Sequence, residues 1–186
     1  MTTCTKAELI VLGVDPGKRN TGLAVLRERE ILLQEVLVLP SELTQACAIL
    51  HIVLNKHITT HHVTCLAFEE FGWEGHATSV SAATLNLTGV IRSCAAIVPV
   101  LAFRAVRWQT AITGQAPPPI AGRPAGEWKR IIQRAVCLHL GLNPEEWGED
   151  EGSHKSDAVG IALYAQGLTK LQWAIDQSER KRDGTL

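Results

Sequence analysis

The chain has 186 residues, of which 46% are hydrophobic and 20% are charged, as expected for one globular domain with a proper core. It contains no run of about 18 apolar residues, and its first apolar run lacks a cleavage-site pattern, so we expect neither a transmembrane helix nor a signal peptide. The net charge of -1 provides no overall attraction to nucleic acid, although a local basic face around an acidic centre is compatible with it.

The domain organisation is predicted to be simple. We expect residues 1–175 to form a single domain and the polar residues 176–186 to form a solvated C-terminal tail. The five cysteines are scattered without paired spacing. That pattern favours buried thiols in a reducing compartment over disulfides or zinc ligands.

The first predicted elements are three strands. Residues 9–14, 23–26 and 31–39 are rich in apolar and β-branched residues and are separated by polar turns, which predicts an antiparallel meander. Ser41 is the predicted N-cap of the helix that follows, because apolar residues from Leu43 onward recur with the helical period.

The second half of the chain alternates strands and helices. Its predicted elements are a strand at 63–68, a helix at 79–96, a strand at 98–103, helices at 106–112 and 126–140, and a last helix from Ser153. The Pro-rich segment 115–124 cannot form a regular helix. This order predicts an α/β fold in which a mixed sheet is flanked by crossover helices.

Four residues from separate elements have the character of one metal site. Asp15 and Glu69 each end an apolar run, and the carboxyl ends of parallel strands meet at one edge of a sheet. His154 and Asp157 lie three residues apart, on one face of the last helix. Two magnesium ions held about 4 Å apart by carboxylates can activate water and stabilise the leaving oxygen of a phosphodiester. The imidazole nitrogen of His154 favours manganese.

Each of these residues also has an ordinary interpretation. Asp15 suits a turn, Glu69 suits an exposed strand end, and Asp157 suits the first turn of a helix, where the dipole favours an anion. Their joint occurrence at the ends of separate elements favours the metal site.

Three segments resemble the motifs of the RuvC-type Holliday-junction resolvases. VLGVDPG at 11–17 with TGLAV at 21–25 resembles the opening motif, LAFEE at 66–70 resembles the second, and HKSDAVGIA at 154–162 resembles the last. The resemblance implies a ribonuclease-H-like fold and cleavage of phosphodiesters with two Mg²⁺ or Mn²⁺ ions. The catalytic and metal-binding residues that it implies are Asp15, Glu69, His154 and Asp157. Many members carry Asp where this chain has His154.

The resemblance also implies partners. Members act as homodimers that nick two symmetric strands of a four-way DNA junction, and a two-fold protein suits a two-fold substrate. We therefore expect a cytoplasmic enzyme, encoded by a bacterium or a phage, whose partners are branched DNA and branch-migration machinery. The predicted helix at 79–96 is the candidate dimer interface, because it carries small or apolar residues at Ala82, Ala83, Gly89 and Val90.

Candidate DNA contacts follow from the same resemblance. Phe71 and Trp73 come directly after the second motif, and exposed aromatic rings can stack on unpaired bases. Arg107, Lys129 and Arg130 belong to a loose basic set for which phosphate binding competes with the ordinary role of a solvated face.

Other functions are compatible with parts of the sequence. A related nuclease that acts on forks, flaps or RNA, and a non-catalytic junction-binding protein, both share the predicted fold. An actin-like or sugar-kinase ATP-binding fold also begins with an Asp-x-Gly turn, but it needs two lobes and a phosphate loop. A zinc site at His57, His61 and His62 lacks matching cysteines.

Overall fold

The computed structural model describes residues 8–70, 79–118, 126–147 and 153–182, with side chains described as far as residue 172. The strands are β1 (Ile10–Asp15), β2 (Asn20–Arg27), β3 (Glu30–Val38), β4 (Cys65–Glu69) and β5 (Val100–Phe103). The helices are α1 (Leu43–Thr60), α2 (Ser79–Ser93), α3 (Ala105–Thr113), α4 (Glu127–Leu140) and α5 (His154–Arg182).

The five strands form one mixed sheet in the order β3-β2-β1-β4-β5. The pairs β1–β2 and β2–β3 are antiparallel, whereas β1–β4 and β4–β5 are parallel. The predicted α/β class and the predicted meander of the first three strands are therefore confirmed. In the sheet register Asp15 is opposite Gly22 on β2, and Val14 is opposite Phe68 on β4, so Asp15 and Glu69 reach the same edge.

A hydrophobic core lies on each face of the sheet. Leu12 and Val14 on β1 belong to the core that α1 and α2 cover, whereas Val11 belongs to the core formed with α3, α4 and α5. This division follows from the alternation of side chains along a strand, and it gives three layers with the sheet in the middle. The charged and catalytic candidates gather where the second core meets the carboxyl edge of β1 and β4.

Helix α5 lies unusually close to the sheet because two strand residues have no Cβ. A Cβ on Gly13 would overlap the carbonyl oxygen of Ala158, and a Cβ on Gly22 would overlap the carbonyl oxygen of His154. The helix has small residues on the side that faces these glycines, and two of them, Ala158 and Ala162, are fully buried. This contact sets the height of the first turn of α5 above the ends of β1 and β2.

The start of α1 differs from the prediction. Glu42, not Ser41, is the N-cap: its carboxylate accepts hydrogen bonds from the backbone N–H groups of Thr44 (2.9 Å) and Gln45 (2.6 Å). The longer carboxylate side chain satisfies two otherwise unpaired N–H groups at once, which a serine hydroxyl one residue earlier does not do here. These two bonds lower the pKa of Glu42.

Other boundaries differ by small amounts. The helix predicted at 79–96 ends at Ser93 and continues as a 3₁₀ turn, Cys94–Ala96. Helix α4 ends at Leu140, as predicted, and Gly141 follows it with a φ of 74°. The backbone of α5 stays helical to Arg182, through most of the predicted tail. None of the helices in the described ranges combines the length and apolar character needed to cross a bilayer.

Replacing Gly13 by alanine is expected to destabilise the protein by about 1–3 kcal/mol, because the new methyl group forces α5 away from the sheet. Gly167→Ala is the matched control on α5 itself, since nothing lies within 4 Å of the position that its new methyl group would take, and it should gain up to about 1 kcal/mol of helix stability. Chemical denaturation of both variants checks this. Equal stabilities would contradict the close contact.

Candidate active site

Two carboxylates meet at the carboxyl edge of the sheet. Asp15 is the last residue of β1, and Glu69 is the last residue of the adjacent parallel strand β4. The side chain of Asp15 is 16% exposed, so this edge is accessible but sheltered. Both residues lie at the position where the sequence predicted the ends of two strands to converge.

The first turn of α5 brings the other two predicted residues to this edge. Ser153, directly before the helix, is buried and has φ of 63°, a left-handed conformation that is uncommon for a residue with a side chain. His154 Nδ1 then lies 2.7 Å from Asp15 Oδ2, and its ring is 23% exposed. The helix thus begins with a direct polar contact to the end of β1.

Asp157 lies deeper in the site. Its Oδ2 accepts a hydrogen bond from the hydroxyl of Ser153 at 2.8 Å. Its Oδ1 is buried and has no hydrogen-bond partner among the described residues. A buried carboxylate oxygen without a partner costs free energy unless a cation or a proton occupies its neighbourhood. This oxygen is therefore suited either to bind a cation or to carry a proton.

Glu69 is held by an indole. The Nε1–H of Trp108, in α3, donates a hydrogen bond to Glu69 Oε2 at 2.9 Å. Burial and the negative charge of Asp15 raise the pKa of Glu69 to about 7 from its ordinary 4.5, whereas the bond from Trp108 opposes the shift. At neutral pH this carboxylate is therefore close to its protonation midpoint in the absence of a cation.

Asp157 is perturbed in the same direction. Burial, followed by the charge of Asp15 and then that of Glu69, raises the pKa of Asp157 well above its ordinary value, while the bond from Ser153 and the charge of Lys129 oppose the rise. Glu69 and Asp157 are thus buried acids whose ionised forms are disfavoured by burial and by the charge of Asp15.

The donor set suits a divalent cation such as magnesium or manganese. Its members are three carboxylates and one imidazole, and the orphaned Oδ1 of Asp157 lies among them. In the described part of the chain, no group of three or more His, Cys, Asp or Glu side chains is arranged so that it could hold a metal ion. The fit rests on the chemistry of the donors and on their mutual repulsion.

The other predicted site residues have different outcomes. Arg107, Lys129 and Arg130 are exposed, on α3 and α4. Lys129 also acts on Asp157 through its charge, a role that the sequence did not indicate. Phe71, Trp73 and most of the Pro-rich segment lie outside the described residues.

The three histidines considered for zinc lie at the end of α1, on the other face of the sheet. His57 is buried, and its Nε2 lies 2.9 Å from Glu35 Oε1 on β3. The ring of His61 stacks on that of His57, with 5.8 Å between the centroids. Burial and the neighbouring histidines lower the pKa of His61.

Two residues of the site escape prediction from the sequence. The pattern around Trp108 indicates only a helix anchor, and that around Ser153 only a helix start. Ser153 precedes Asp157 by four residues, a spacing that brings two side chains together at the start of a helix. This spacing was a signal from which the contact could have been predicted. The contact of Trp108 spans 39 residues and depends on the pairing of β4 with β5, for which the sequence gives no local signal.

Comparison with known proteins identifies the family. The family described as crossover junction endodeoxyribonuclease RuvC matches residues 11–163. The chain belongs to this family, and it is accordingly a nuclease. The match includes all four predicted site residues. No curated protein sequence matches the chain.

Solved structures show the same fold. Thermus thermophilus RuvC in complex with a Holliday junction substrate aligns with a TM-score of 0.69 and 22% identity, covering 88% of this chain and 96% of that one. A second T. thermophilus RuvC structure gives 0.71 and 20%, covering 88% and 97%. The yeast mitochondrial Holliday junction resolvase gives 0.56 and 11%, covering 87% and 81%. At these identities the likeness confirms the ribonuclease-H-like fold.

The raised pKa of Glu69 predicts a pH-dependent stability of the metal-free protein. Because the folded protein binds this proton more tightly than the unfolded chain, ionisation of Glu69 removes stability as the pH rises from about 4.5 through 7. Glu69→Gln keeps an acceptor for Trp108 but cannot ionise. In a chelating buffer the variant should be more stable than the wild type at pH 8, by on the order of 2 kcal/mol, and this difference should disappear by about pH 4.

Denaturant titrations at several pH values measure this difference. Glu28→Gln, at an exposed position in the turn between β2 and β3, is the matched control for loss of a glutamate and should follow the wild type. A constant offset between Glu69→Gln and the wild type across this range would contradict the assignment.

Proposed function

We propose that this chain is a metal-dependent, structure-selective DNA endonuclease that resolves four-way junctions by paired, symmetric nicks. The observation that carries the proposal is the convergence of Asp15, Glu69 and Asp157, with His154, at one partly exposed edge of the sheet. Buried carboxylates whose pKa is raised by burial and by a neighbouring carboxylate, as for Glu69 and Asp157, are typical of a catalytic centre. Membership in the junction-endonuclease family supports the substrate.

Divalent cations held here would supply a water of lowered pKa and positive charge for the reacting phosphate. The residues that would hold them are Asp15, Glu69, His154 and Asp157. Ser153 keeps one oxygen of Asp157 hydrogen-bonded, and Trp108 does the same for Glu69. These bonds restrict the rotation of both carboxylates before substrate arrives.

The surroundings of the centre are suited to a phosphodiester backbone. Lys129 contributes positive charge near Asp157 from the exposed side of α4, and Arg130 follows it on the same helix. We assign Arg107, Lys129 and Arg130 to phosphate binding, and Phe71 and Trp73 to stacking at the junction centre. The T. thermophilus RuvC of similar fold is in complex with a Holliday junction substrate, which supports branched DNA as the ligand here.

Symmetric cleavage requires two copies of the site, and α2 offers a surface for pairing. Ala82 and Gly89 are exposed on one side of this helix with Leu85, which is 39% exposed, between them. Nothing lies within 4 Å of a Cβ added to Gly89, so a second helix can approach closely there. Ala83 is buried against the core of its own subunit and does not belong to this face.

The pairing is tested by sedimentation equilibrium. The wild type should be a dimer, and Gly89→Glu should be a monomer with unchanged thermal stability, because the new side chain meets nothing within its own subunit. Gly167→Glu, on an exposed face of α5, is the matched control and should stay dimeric. A monomeric wild type, or a dimeric Gly89→Glu, would contradict this interface.

The activity is tested on a synthetic mobile four-way junction, with a matched linear duplex as the control substrate. The wild type should make paired nicks in the junction alone. Asp15→Asn should lose more than about 100-fold in rate, because it removes an anionic ligand, while it still binds the junction. Glu30→Gln, at the opposite end of the sheet, should cleave normally.

Each other result has a definite meaning. Full cleavage by Asp15→Asn would contradict the assignment of this site as the catalytic centre. Cleavage of both substrates by the wild type would keep the nuclease and move its substrate to forks, flaps or general DNA. Binding without cleavage in any metal would favour a non-catalytic junction-binding protein.

The same assay compares the two metals. We expect faster cleavage with manganese than with magnesium, because the nitrogen of His154 is a better ligand for manganese. His154→Asp should reduce that preference, since it restores an all-oxygen donor set. Equal rates with both ions in the wild type would remove this role of His154.

A further inference from the structure

We infer that Trp108 is a positioning residue of the metal centre, which fixes the Glu69 carboxylate through its indole N–H and thereby sets the affinity for the divalent cation. The inference rests on the proposed function of the site. Its starting point is the hydrogen bond from Trp108 Nε1 to Glu69 Oε2, at 2.9 Å.

The fold delivers the indole to this carboxylate through the sheet. Strand β5 runs parallel to β4, and Phe103, its last residue, is opposite Glu69. Helix α3 begins two residues later, at Ala105, so its first turn lies directly beside the end of β4. Trp108 is fully buried there, and its ring belongs to the core beneath α4 and α5.

A glycine on α5 makes room for the ring. A Cβ at Gly160 would lie 2.6 Å from Cζ3 and 3.1 Å from Cε3 of Trp108, so no other residue type fits without displacing the indole. Gly160 follows Asp157 by three residues and therefore lies one turn further along the same helix. The indole thus packs against the helix that carries one acid of the site while it donates to another.

The chemistry of the indole suits this role. Its N–H is a donor only, so it cannot bind a cation, and it does not titrate in the range of protein function. It therefore donates to one oxygen of Glu69 without competing for the cation, and metal binding is left to the carboxylate. Partners of this kind, which orient a ligand without touching the metal, commonly change metal affinity by about 10–100-fold.

A purely structural role for Trp108 makes a different prediction. A buried indole needs some hydrogen-bond partner. If the role were only structural, loss of this hydrogen bond would lower the stability of the protein without changing its metal affinity. Trp128 provides the comparison within the same chain. Its Nε1–H donates to Gln109 Oε1 at 3.0 Å, at the neighbouring contact of α3 with α4, and its side chain is also buried.

The test compares Trp108→Phe with Trp128→Phe, both of which keep an aromatic ring and lose an indole N–H. Manganese binding is measured by calorimetry without DNA, and the manganese dependence of junction cleavage is measured separately. We expect Trp108→Phe to weaken binding, and to raise the manganese concentration for half-maximal cleavage, by about 10–100-fold, with kcat at saturating metal largely kept. Trp128→Phe should match the wild type in both.

A second measurement on the wild type needs no variant at Trp108. The indole N–H resonance that shifts in Glu69→Gln should also shift when magnesium is added, whereas the resonance lost in Trp128→Phe should stay in place. Unchanged metal affinity in a folded Trp108→Phe, equal changes in both tryptophan variants, or an indole resonance insensitive to magnesium would overturn the inference alone. A wild type that neither binds metal nor cleaves DNA would overturn the proposed function and the inference with it.

Discussion

The contact between α5 and the backbone of β1 and β2 is the constraint on which the site depends. Gly13 and Gly22 have no Cβ, so the carbonyl oxygens of Ala158 and His154 come against the strands where a side chain would otherwise stand. Helix packing on a sheet normally keeps the helix further away, at the distance set by intervening side chains. Here the first turn of α5 is lowered onto the end of β1, and His154 reaches Asp15. Asp15 and His154 are 139 positions apart in the sequence. The position of α5 thus decides whether the acids at the strand ends and the residues at the start of the helix form one centre.

The centre is electrostatically unfavourable in isolation, and its neighbours reduce that cost only in part. Ser153 and Trp108 each donate one hydrogen bond to a carboxylate, and Lys129 adds a positive charge. These contributions oppose the pKa shifts of Asp157 and Glu69 without abolishing them. A site that stabilised its carboxylates fully would gain less from binding a cation, because ligand binding is driven by the difference between the free and the bound states. The remaining repulsion is therefore consistent with a binding site, whereas solvent and salt would screen most of it in a surface cluster of acids.

This chain shares its fold with the RuvC family, but its low identity to solved members means that many of its side chains differ. The sheet order, the two cores and the placement of α5 give the shared fold, with TM-scores of 0.69 and 0.71 to the T. thermophilus structures at 22% and 20% identity. Contacts such as that of Trp108 with Glu69 belong to this chain's own side chains. Substrate choice and metal preference depend on such side chains, and one fold can support several different substrates and metal preferences.

The sequence by itself determined the strands and most helix boundaries within a few residues, because apolar periodicity is a local signal. It also indicated Asp15, Glu69, His154 and Asp157 as candidate site residues, because residues at the ends of strands and helices are local signals as well. It placed the N-cap of α1 one residue early, since the side chains of Ser41 and Glu42 compete for the same N–H groups and only the geometry decides between them. It could not show that Trp108 reaches Glu69 or that Lys129 acts on Asp157. Those contacts arise from the pairing of β4 with β5 and from the packing of α3, α4 and α5 together, which are relations between distant segments. Only the tertiary structure determines these contacts, because the residue spacing within one segment carries no information about the distance between two separate segments.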